Sequence, residues 1–172
     1  MKEQFMLLAE YNAQTNEDMI KVLATLKPDQ LLEEMGSFYH SILSILNHIV
    51  GGDVNWLRRF TNHFPQLGFL SGRIDGVAPK APGELRYHDL QSYRAVRFDL
   101  DVVIKLAMEN LAEEEFHEVL VFKNLQGAEM RKTVWLGCLH MFNHETHHRG
   151  QVSLALDQMK VDNDYSGLAW RF

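Results

Sequence analysis

Residues 37–64 read SFYHSILSILNHIVGGDVNWLRRFTNHF, and the periodicity of this stretch sets the expected fold class. Its apolar residues recur at helical spacing, and Pro65 ends the pattern because proline cannot continue a helix. The stretch therefore predicts a helix from Ser37 to Phe64. One face of that helix is centred on His48, while most of the remaining circumference is apolar. This face includes small and polar residues within about 40° of His48, among them Ser41, Ser44, Gly52 and Asn55.

Three further segments show the same helical periodicity. Helices are predicted over residues 2–25, from about His88 to Leu111, and from about Thr133 to Met159. A short capped turn is predicted from Asp29, with Gly36 as its stop.

Residues 65–87 contain seven prolines and glycines, which predicts a long crossover loop without regular structure. Residues 115–134 predict a small β-hairpin around Leu-Gln-Gly, and the last 13 residues, 160–172, predict a tail folded back on the helices. The expected architecture is an all-α four-helix bundle, with the crossover loop and with the hairpin between helices three and four, forming one domain over 1–172.

Composition and charge narrow the function classes. The single cysteine excludes a disulfide framework and favours a reducing setting. No apolar run approaches the ~18 residues of a membrane span, and the first residues lack the core of a signal peptide. The net charge of -6 argues against nucleic-acid binding, which depends on Lys and Arg. We therefore expect a cytoplasmic protein with neither a membrane nor a nucleic-acid partner.

A second stretch, NHETHHRGQ at residues 143–151, places three histidines within five residues of the last predicted helix. His144 and His148 stand four residues apart, so their imidazoles lie on one face and can converge on one point. His140 and His144 have the same spacing, so spacing alone does not choose between the two pairs. The face around His144 otherwise carries the small or polar residues Gly137, Gln151 and Ala155.

His48 and one of these histidine pairs would together offer three neutral imidazoles. Three such ligands suit Zn²⁺, Ni²⁺ or Fe²⁺ and leave coordination positions open for water or substrate, which is typical of a catalytic site. The alternative is that the histidines are solvated or hydrogen-bonded without a metal. A pair at i,i+4 together with a histidine on the polar face of a second helix favours a metal site. Zinc is the expected ion, with nickel and iron as alternatives.

The residues next to His144 and His148 in the sequence have expected roles in packing, ion pairing or hydrogen bonding. Arg149 is expected to form an ion pair that braces the last helix against a neighbour, with Asp53 as a candidate partner. Gly150 is expected to allow close helix packing. Gln151 shares the ligand face, either as a hydrogen bonder to a ligand or as ordinary helix polarity. Glu145 is rotated by about 100° from the ligand face, so a general-base role is not expected.

Three stretches resemble the DinB family, the DinB/YfiT-like metalloenzymes. They are HIVGGDVNWLRRF at 48–60, NHETHHRGQVSLAL at 143–156 and YNAQTN at 11–16. The resemblance implies a four-helix bundle, usually a homodimer, with a metal site formed by His48, His144 and His148. Two departures concern the rim of the site: Gln14 and Thr15 replace the family's Trp and Ala, and the tail lacks a proline-rich approach. Because of these departures, the resemblance does not identify the substrate.

Characterised relatives of this family include S-transferases and isomerases that use bacillithiol, mycothiol or glutathione. We therefore expect a metal-dependent enzyme that acts on a small molecule by transferring a thiol to an electrophile. A hydrolase that activates water at the same metal is a related expectation. The alternative hypothesis is a non-catalytic metal-binding or stress-associated ligand-binding or interaction protein.

Overall fold

The computed structural model describes residues 1–79, 84–124 and 126–172. These residues contain four long helices and one short one. The helices are α1 (Lys2–Leu23), α2 (Ile42–His63), the single-turn α3 (Ser71–Ile74), α4 (Leu90–Asn110) and α5 (Val134–Gln158). Helix α1 packs chiefly on α4, and α2 packs chiefly on α5. The predicted all-α four-helix fold is confirmed.

The C-terminal tail returns to the bundle as predicted. The hydroxyl of Tyr11 on α1 donates to the carbonyl oxygen of Tyr165 at 2.6 Å. The guanidinium of Arg171 lies 2.7 Å from the carboxylate of Asp18, also on α1. The tail therefore lies along the first helix and is tied to it at two points.

The start of α2 differs from the prediction. The helix begins at Ile42, and the hydroxyl of its N-cap Ser41 accepts a hydrogen bond from the Ser44 N–H at 3.2 Å. Just before the cap, His40 has φ 59°, a left-handed conformation that a right-handed helix cannot contain. The predicted start at Ser37 was wrong because the apolar periodicity was extended through this turn.

The crossover region begins with regular structure that was not predicted. A 3₁₀ helix covers Pro65–Leu70, and α3 follows it directly. Leu67, Leu70 and Ile74 are fully buried, and their spacing of three and four residues explains why this segment coils against the bundle. The prediction of an irregular loop was therefore wrong for its first ten residues. Residues 80–83 of that predicted loop lie outside the described part of the chain.

The far end of the crossover is anchored to α2 by a buried amide. The side-chain oxygen of Asn47 accepts hydrogen bonds from the backbone N–H groups of Arg86 and Tyr87, each at 2.9 Å. Its Nδ2 donates to the carbonyl oxygen of Tyr87, also at 2.9 Å. This anchor lies one residue before His48, so it fixes the chain beside the candidate ligand.

The predicted hairpin is present. Strands β1 (Val119–Lys123) and β2 (Glu129–Thr133) pair antiparallel, with Val119 opposite Thr133. Gly127 adopts φ 81° in the connecting turn, as glycine readily does. Leu125, part of the predicted turn, lies outside the described residues. The hairpin leads directly into α5.

Five charged side chains are buried between the helices, and we call them the buried ion cluster. They are Asp53, Arg97, Asp101, Glu145 and Arg149. Arg97 on α4 contacts Asp53 on α2, Asp101 at 2.8 Å and Glu145 on α5 at 3.4 Å. Arg149 lies 3.0 Å from the other oxygen of Glu145. The expected Asp53–Arg149 pair is wrong because Arg97 takes Asp53 as its partner.

Two asparagines of α1 complete the hydrogen bonding of this cluster. Asn12 donates to Glu145 at 2.8 Å, and Asn16 donates to Asp101 at 3.0 Å. Both amide oxygens accept from Arg149, so Arg149 braces α5 against α1 through hydrogen bonds. The expected ion pair between helices was wrong, because the carboxylate that Arg149 contacts, Glu145, lies on α5 itself. The expectation for Gly150 was wrong, since it is exposed and a Cβ there would meet no atom within 4 Å.

Candidate metal centre

Three imidazole rings converge where α2 faces α5, and we call them the histidine triad. His48 comes from α2, while His144 and His148 come from successive turns of α5. One ring nitrogen of each lies within 4.8 Å of the other two. The Nε2 atoms of His48 and His144 are 2.9 Å apart. The structure therefore brings together the three residues that the resemblance implied as ligands.

The structure also separates the two histidine pairs that spacing had left equivalent. His148 joins the triad, whereas His140 lies outside it and is exposed. The ring of His140 stacks beside that of His144 with centroids 6.2 Å apart. His40 and His63 lie beside surface glutamates, away from the triad.

Gly52 provides the space that the triad occupies. A Cβ at position 52 would lie 2.5 Å from Cε1 and 2.8 Å from Nδ1 of His144, which is closer than non-bonded atoms can approach. At the preceding Gly51, a Cβ would meet only Pro79 Cδ at 3.7 Å, an ordinary contact. Glycine inside a helix costs about 1 kcal/mol relative to alanine. At position 52 this cost is explained by the close approach of an imidazole to the helix backbone.

Burial keeps the triad neutral near pH 7. It lowers the pKa of His48 to about 4, with a further contribution from His148. It lowers the pKa of His144 to about 3, helped by the two other triad rings. The pKa of His148 is also lowered by burial, against the opposing effect of the hydrogen bond that its ring donates to the amide oxygen of Gln151. A neutral imidazole keeps the nitrogen lone pair that binds a metal ion.

The donor set and its spacing fit a divalent cation. Two imidazole nitrogens bound tetrahedrally to one zinc ion would lie about 3.3 Å apart, given bonds of about 2.0–2.1 Å. The 2.9 Å between the Nε2 atoms of His48 and His144 approaches that separation. Three nitrogen ligands leave room for a further ligand in a four-coordinate site. The triad could therefore hold a divalent metal ion.

The comparison with known proteins agrees with the resemblance seen in the three sequence motifs. The model of the DinB family matches residues 1–162. The chain belongs to the DinB family. It is similar to Protein DinB of Bacillus subtilis (strain 168), with 24% identity over 151 residues that cover 88% of this chain and 83% of that protein. In the described part of this DinB family chain, no helix is both long and apolar enough to cross a membrane.

Gln151 supports the triad from one turn further along α5. Its Oε1 lies 2.7 Å from Nδ1 of His148. With the amide oxygen accepting this hydrogen bond, Nδ1 of His148 carries the proton and Nε2 keeps its lone pair. Of the two expected roles of Gln151, the hydrogen bond to a candidate ligand is the one found.

Replacing Gln151 with alanine should weaken metal binding by about 10- to 100-fold, the usual effect of removing a residue that orients a metal-binding histidine. The dissociation constant would be measured by competition with a chromophoric chelator. Gln158→Ala is the control because Gln158 is exposed on the same helix. Equal affinities in the two variants would mean that the hydrogen bond to His148 does not orient a ligand.

Sequence reasoning missed Tyr39. Its ring centroid lies 4.5 Å from that of His48 and 5.2 Å from that of His148. A continuous helix from Ser37 would have placed Tyr39 about 180° round the axis from His48, since the two are nine residues apart. The turn before Ser41 instead carries the tyrosine over the triad. The error in the start of α2 therefore also concealed this residue.

The histidine triad should contribute a loss of stability to the metal-free protein as the pH falls from about 6.5. The pKa values of His48 (about 4) and His144 (about 3) in the folded protein lie below those of free histidine. Between these values the unfolded chain takes up protons that the folded state does not, so acid favours unfolding. Asp101 and Asp53 act in the opposite direction, because burial raises the pKa of Asp101 to about 6 and that of Asp53 above its ordinary value.

The contribution of the triad can be isolated by comparing metal-free wild type with metal-free His48→Gln in urea unfolding at several pH values. The variant should show a weaker loss of stability between about pH 6.5 and pH 4, since it lacks one depressed histidine pKa. Parallel stability curves would show that His48 is not held neutral by the fold.

Proposed function

We propose that the protein is a divalent-metal-dependent enzyme that transfers a low-molecular-weight thiol to an electrophilic small molecule, with zinc as the first candidate ion. The observation that carries the proposal is the convergence of three neutral imidazoles from two helices, two of which are only half-buried. A structural zinc site usually has four closed ligands, often thiolates, whereas three ligands leave a position for a reactant.

In this proposal, the residues at the site bind the metal, orient a ligand or restrict access. His48, His144 and His148 hold the cation, and Gln151 fixes the tautomer of His148 through its 2.7 Å contact. The cation would act as a Lewis acid and lower the pKa of a thiol or water bound at its open coordination position. The ring of Tyr39, against His48 and His148, limits the approach on its side of the triad.

The surroundings of the triad favour a thiol over water as the attacking group. Glu145, the carboxylate adjacent to His144 in sequence, is fully buried and turned into the buried ion cluster. Burial acts to raise its pKa, but Arg97 and Arg149 outweigh burial and hold the pKa below its ordinary value. It is therefore not a base for the site. A thiol bound to zinc is deprotonated outright, whereas zinc-bound water has a pKa of about 7, so a thiol depends less on a protein base than water does.

The overall reaction would be a simple displacement or addition. The thiol loses its proton to solvent, and the sulfur forms a bond to the electrophilic carbon. In a displacement the leaving group departs with the electron pair of its bond. In an addition the π bond at that carbon breaks, and its electron pair moves to the neighbouring atom, which takes a proton from solvent. The burial of Glu145 in the ion cluster, which keeps this described carboxylate from acting as a base at the triad, also supports the second candidate function, a non-catalytic metal-binding or stress-associated ligand-binding protein.

The test uses zinc-loaded protein that has never contacted nickel resin. The protein would be incubated with monochlorobimane and with bacillithiol, mycothiol or glutathione in turn, and the S-conjugate measured by chromatography. At least one thiol should react faster with the protein present, and His48→Ala should remove that acceleration. No acceleration with any thiol, from protein that retains its zinc, would contradict the transferase and leave the non-catalytic function.

A further inference from the structure

Arg59 lies on α2, three turns beyond His48, and the described part of the chain provides no acidic partner for it. Arg59 is half-buried, and its guanidinium carbon lies 4.3 Å from the ring centroid of Trp56 and 4.1 Å from that of Phe122 on β1. The two rings cover the guanidinium, and burial lowers its pKa. Its neighbour Arg58, by contrast, reaches the carboxylate of Asp75 at 3.8 Å. Within the described residues, the N–H groups of Arg59 have no carboxylate to pair with.

A row of rings connects this arginine to the histidine triad. We call His144, His140 and Trp56 the ring row. The rings of His144 and His140 stack at 17° with centroids 6.2 Å apart, and those of His140 and Trp56 are 5.3 Å apart. Since Arg59 lies over Trp56, the row runs from His144, a member of the triad, to the guanidinium of Arg59. His140 is exposed and Trp56 is half-buried, so the row is accessible to a small molecule.

The indole of Trp56 is held in place by contacts with α5 and β1. A Cβ at Gly137 on α5 would lie 2.8 Å from Cζ3 of Trp56, so the indole is pressed against the backbone of α5. Phe122 also contacts the indole edge-on, with centroids 5.6 Å apart. An indole held in this way offers a rigid surface, and a rigid surface loses little conformational entropy when a ligand packs on it.

We propose that Arg59 binds a carboxylate of the molecule whose reactive end is held at the histidine triad, with the ring row packing along the middle of that molecule. The inference rests on the proposed function, whose substrate class it narrows. Guanidinium binds carboxylate through two parallel N–H···O hydrogen bonds, and desolvation strengthens such a pair. The ligand is thus a small organic acid that carries a thiol or an electrophilic carbon at the end remote from its carboxylate.

Alternatively, Arg59 could serve only to stabilise the fold, since its side chain bridges α2 and β1. We call this second role a structural clamp. The two roles differ in what removal changes. Loss of a clamp would lower the melting temperature of the ligand-free protein and would affect charged and uncharged ligands equally. Loss of a carboxylate site would remove the preference for the charged ligand. The comparison between an acid and its ester therefore separates the roles, even if Arg59 also contributes to stability.

The experiment is a calorimetric titration of zinc-loaded and metal-free protein with 6-mercaptohexanoate and with its methyl ester. Wild type should bind the acid about tenfold more tightly than the ester, as expected for a hydrogen-bonded ion pair. Arg59→Met keeps an apolar side chain between the rings and should abolish that preference, while Arg59→Lys should restore part of it. Arg58→Met is the matched control and should leave the preference unchanged.

Equal affinities of wild type for acid and ester would overturn the carboxylate site, and so would a preference that survives in Arg59→Met. Absence of any binding of the acid, to either form of the protein, would also overturn it, because the carboxylate contact does not require the metal. If the acid is preferred but zinc adds nothing to its affinity, the carboxylate site stands and thiol activation at the triad fails.

Discussion

Replacing Arg97 with methionine should destabilise the protein by about 3–5 kcal/mol, or prevent it from folding, because removing one partner of a buried ion pair leaves uncompensated charge. Arg97 is fully buried and contacts the carboxylates of Asp53, Asp101 and Glu145. Methionine has a similar length but no charge, so the carboxylates would face one another without their shared cation.

The measurement for Arg97 is urea unfolding followed by circular dichroism. Arg94→Met is the control, since Arg94 is exposed about one turn earlier on the same helix. Asp53→Asn should have a smaller effect than Arg97→Met, because Asp101 and Glu145 still pair with Arg97 in that variant. Burial, which raises the pKa of Asp53, already opposes the charged form that the asparagine removes. An Arg97 variant as stable as the Arg94 variant would show that the buried ion cluster does not hold the bundle together.

Replacing Gly52 with alanine should weaken metal binding by about 100-fold or more, at the upper end of what loss of ligand orientation causes. The added methyl carbon would lie 2.5 Å from Cε1 of His144, so the imidazole must move away from the triad. The alternative is a shift of α2 against α5, which would separate His48 from both histidines of α5.

Gly51→Ala provides a matched control in the same turn of α2. Its methyl group would meet only Pro79 Cδ at 3.7 Å, and alanine is favoured over glycine in a helix by about 1 kcal/mol. We expect this variant to bind metal like wild type and to unfold at a higher urea concentration. The two affinities would be measured with the same chromophoric chelator. Similar affinities in the two variants would contradict the close fit of His144 against α2.

The four-helix fold was predictable because helical periodicity reports directly on which residues face a core. The turn before Ser41 was not, because the apolar spacing of residues 37–41 continues that of α2 while His40 takes a left-handed conformation. The 3₁₀ segment of the crossover was also missed, because glycines and prolines were given more weight than the spacing of Leu67, Leu70 and Ile74.

Part of the site could be read from residue spacing. The polar face around His48 and the i,i+4 histidines of α5 indicated a metal site, yet spacing could not choose between His140 and His148. That choice depends on how α5 is rotated against α2, which is a property of packing. The partner of Asp53 was missed for the same reason. Arg97 and Asp101 stand four residues apart on α4, a signal for a charged pair that the sequence reasoning did not use.

The central claim, that the histidine triad binds a divalent metal, is tested most directly by metal content. Wild type, His48→Ala and His147→Ala would be purified without nickel resin, incubated with zinc, desalted and measured by inductively coupled plasma mass spectrometry. His147 is the control because it is exposed on the same helix as the triad members of α5. We expect one equivalent of zinc in wild type and in His147→Ala, and almost none in His48→Ala. A full equivalent of zinc in His48→Ala would contradict the site.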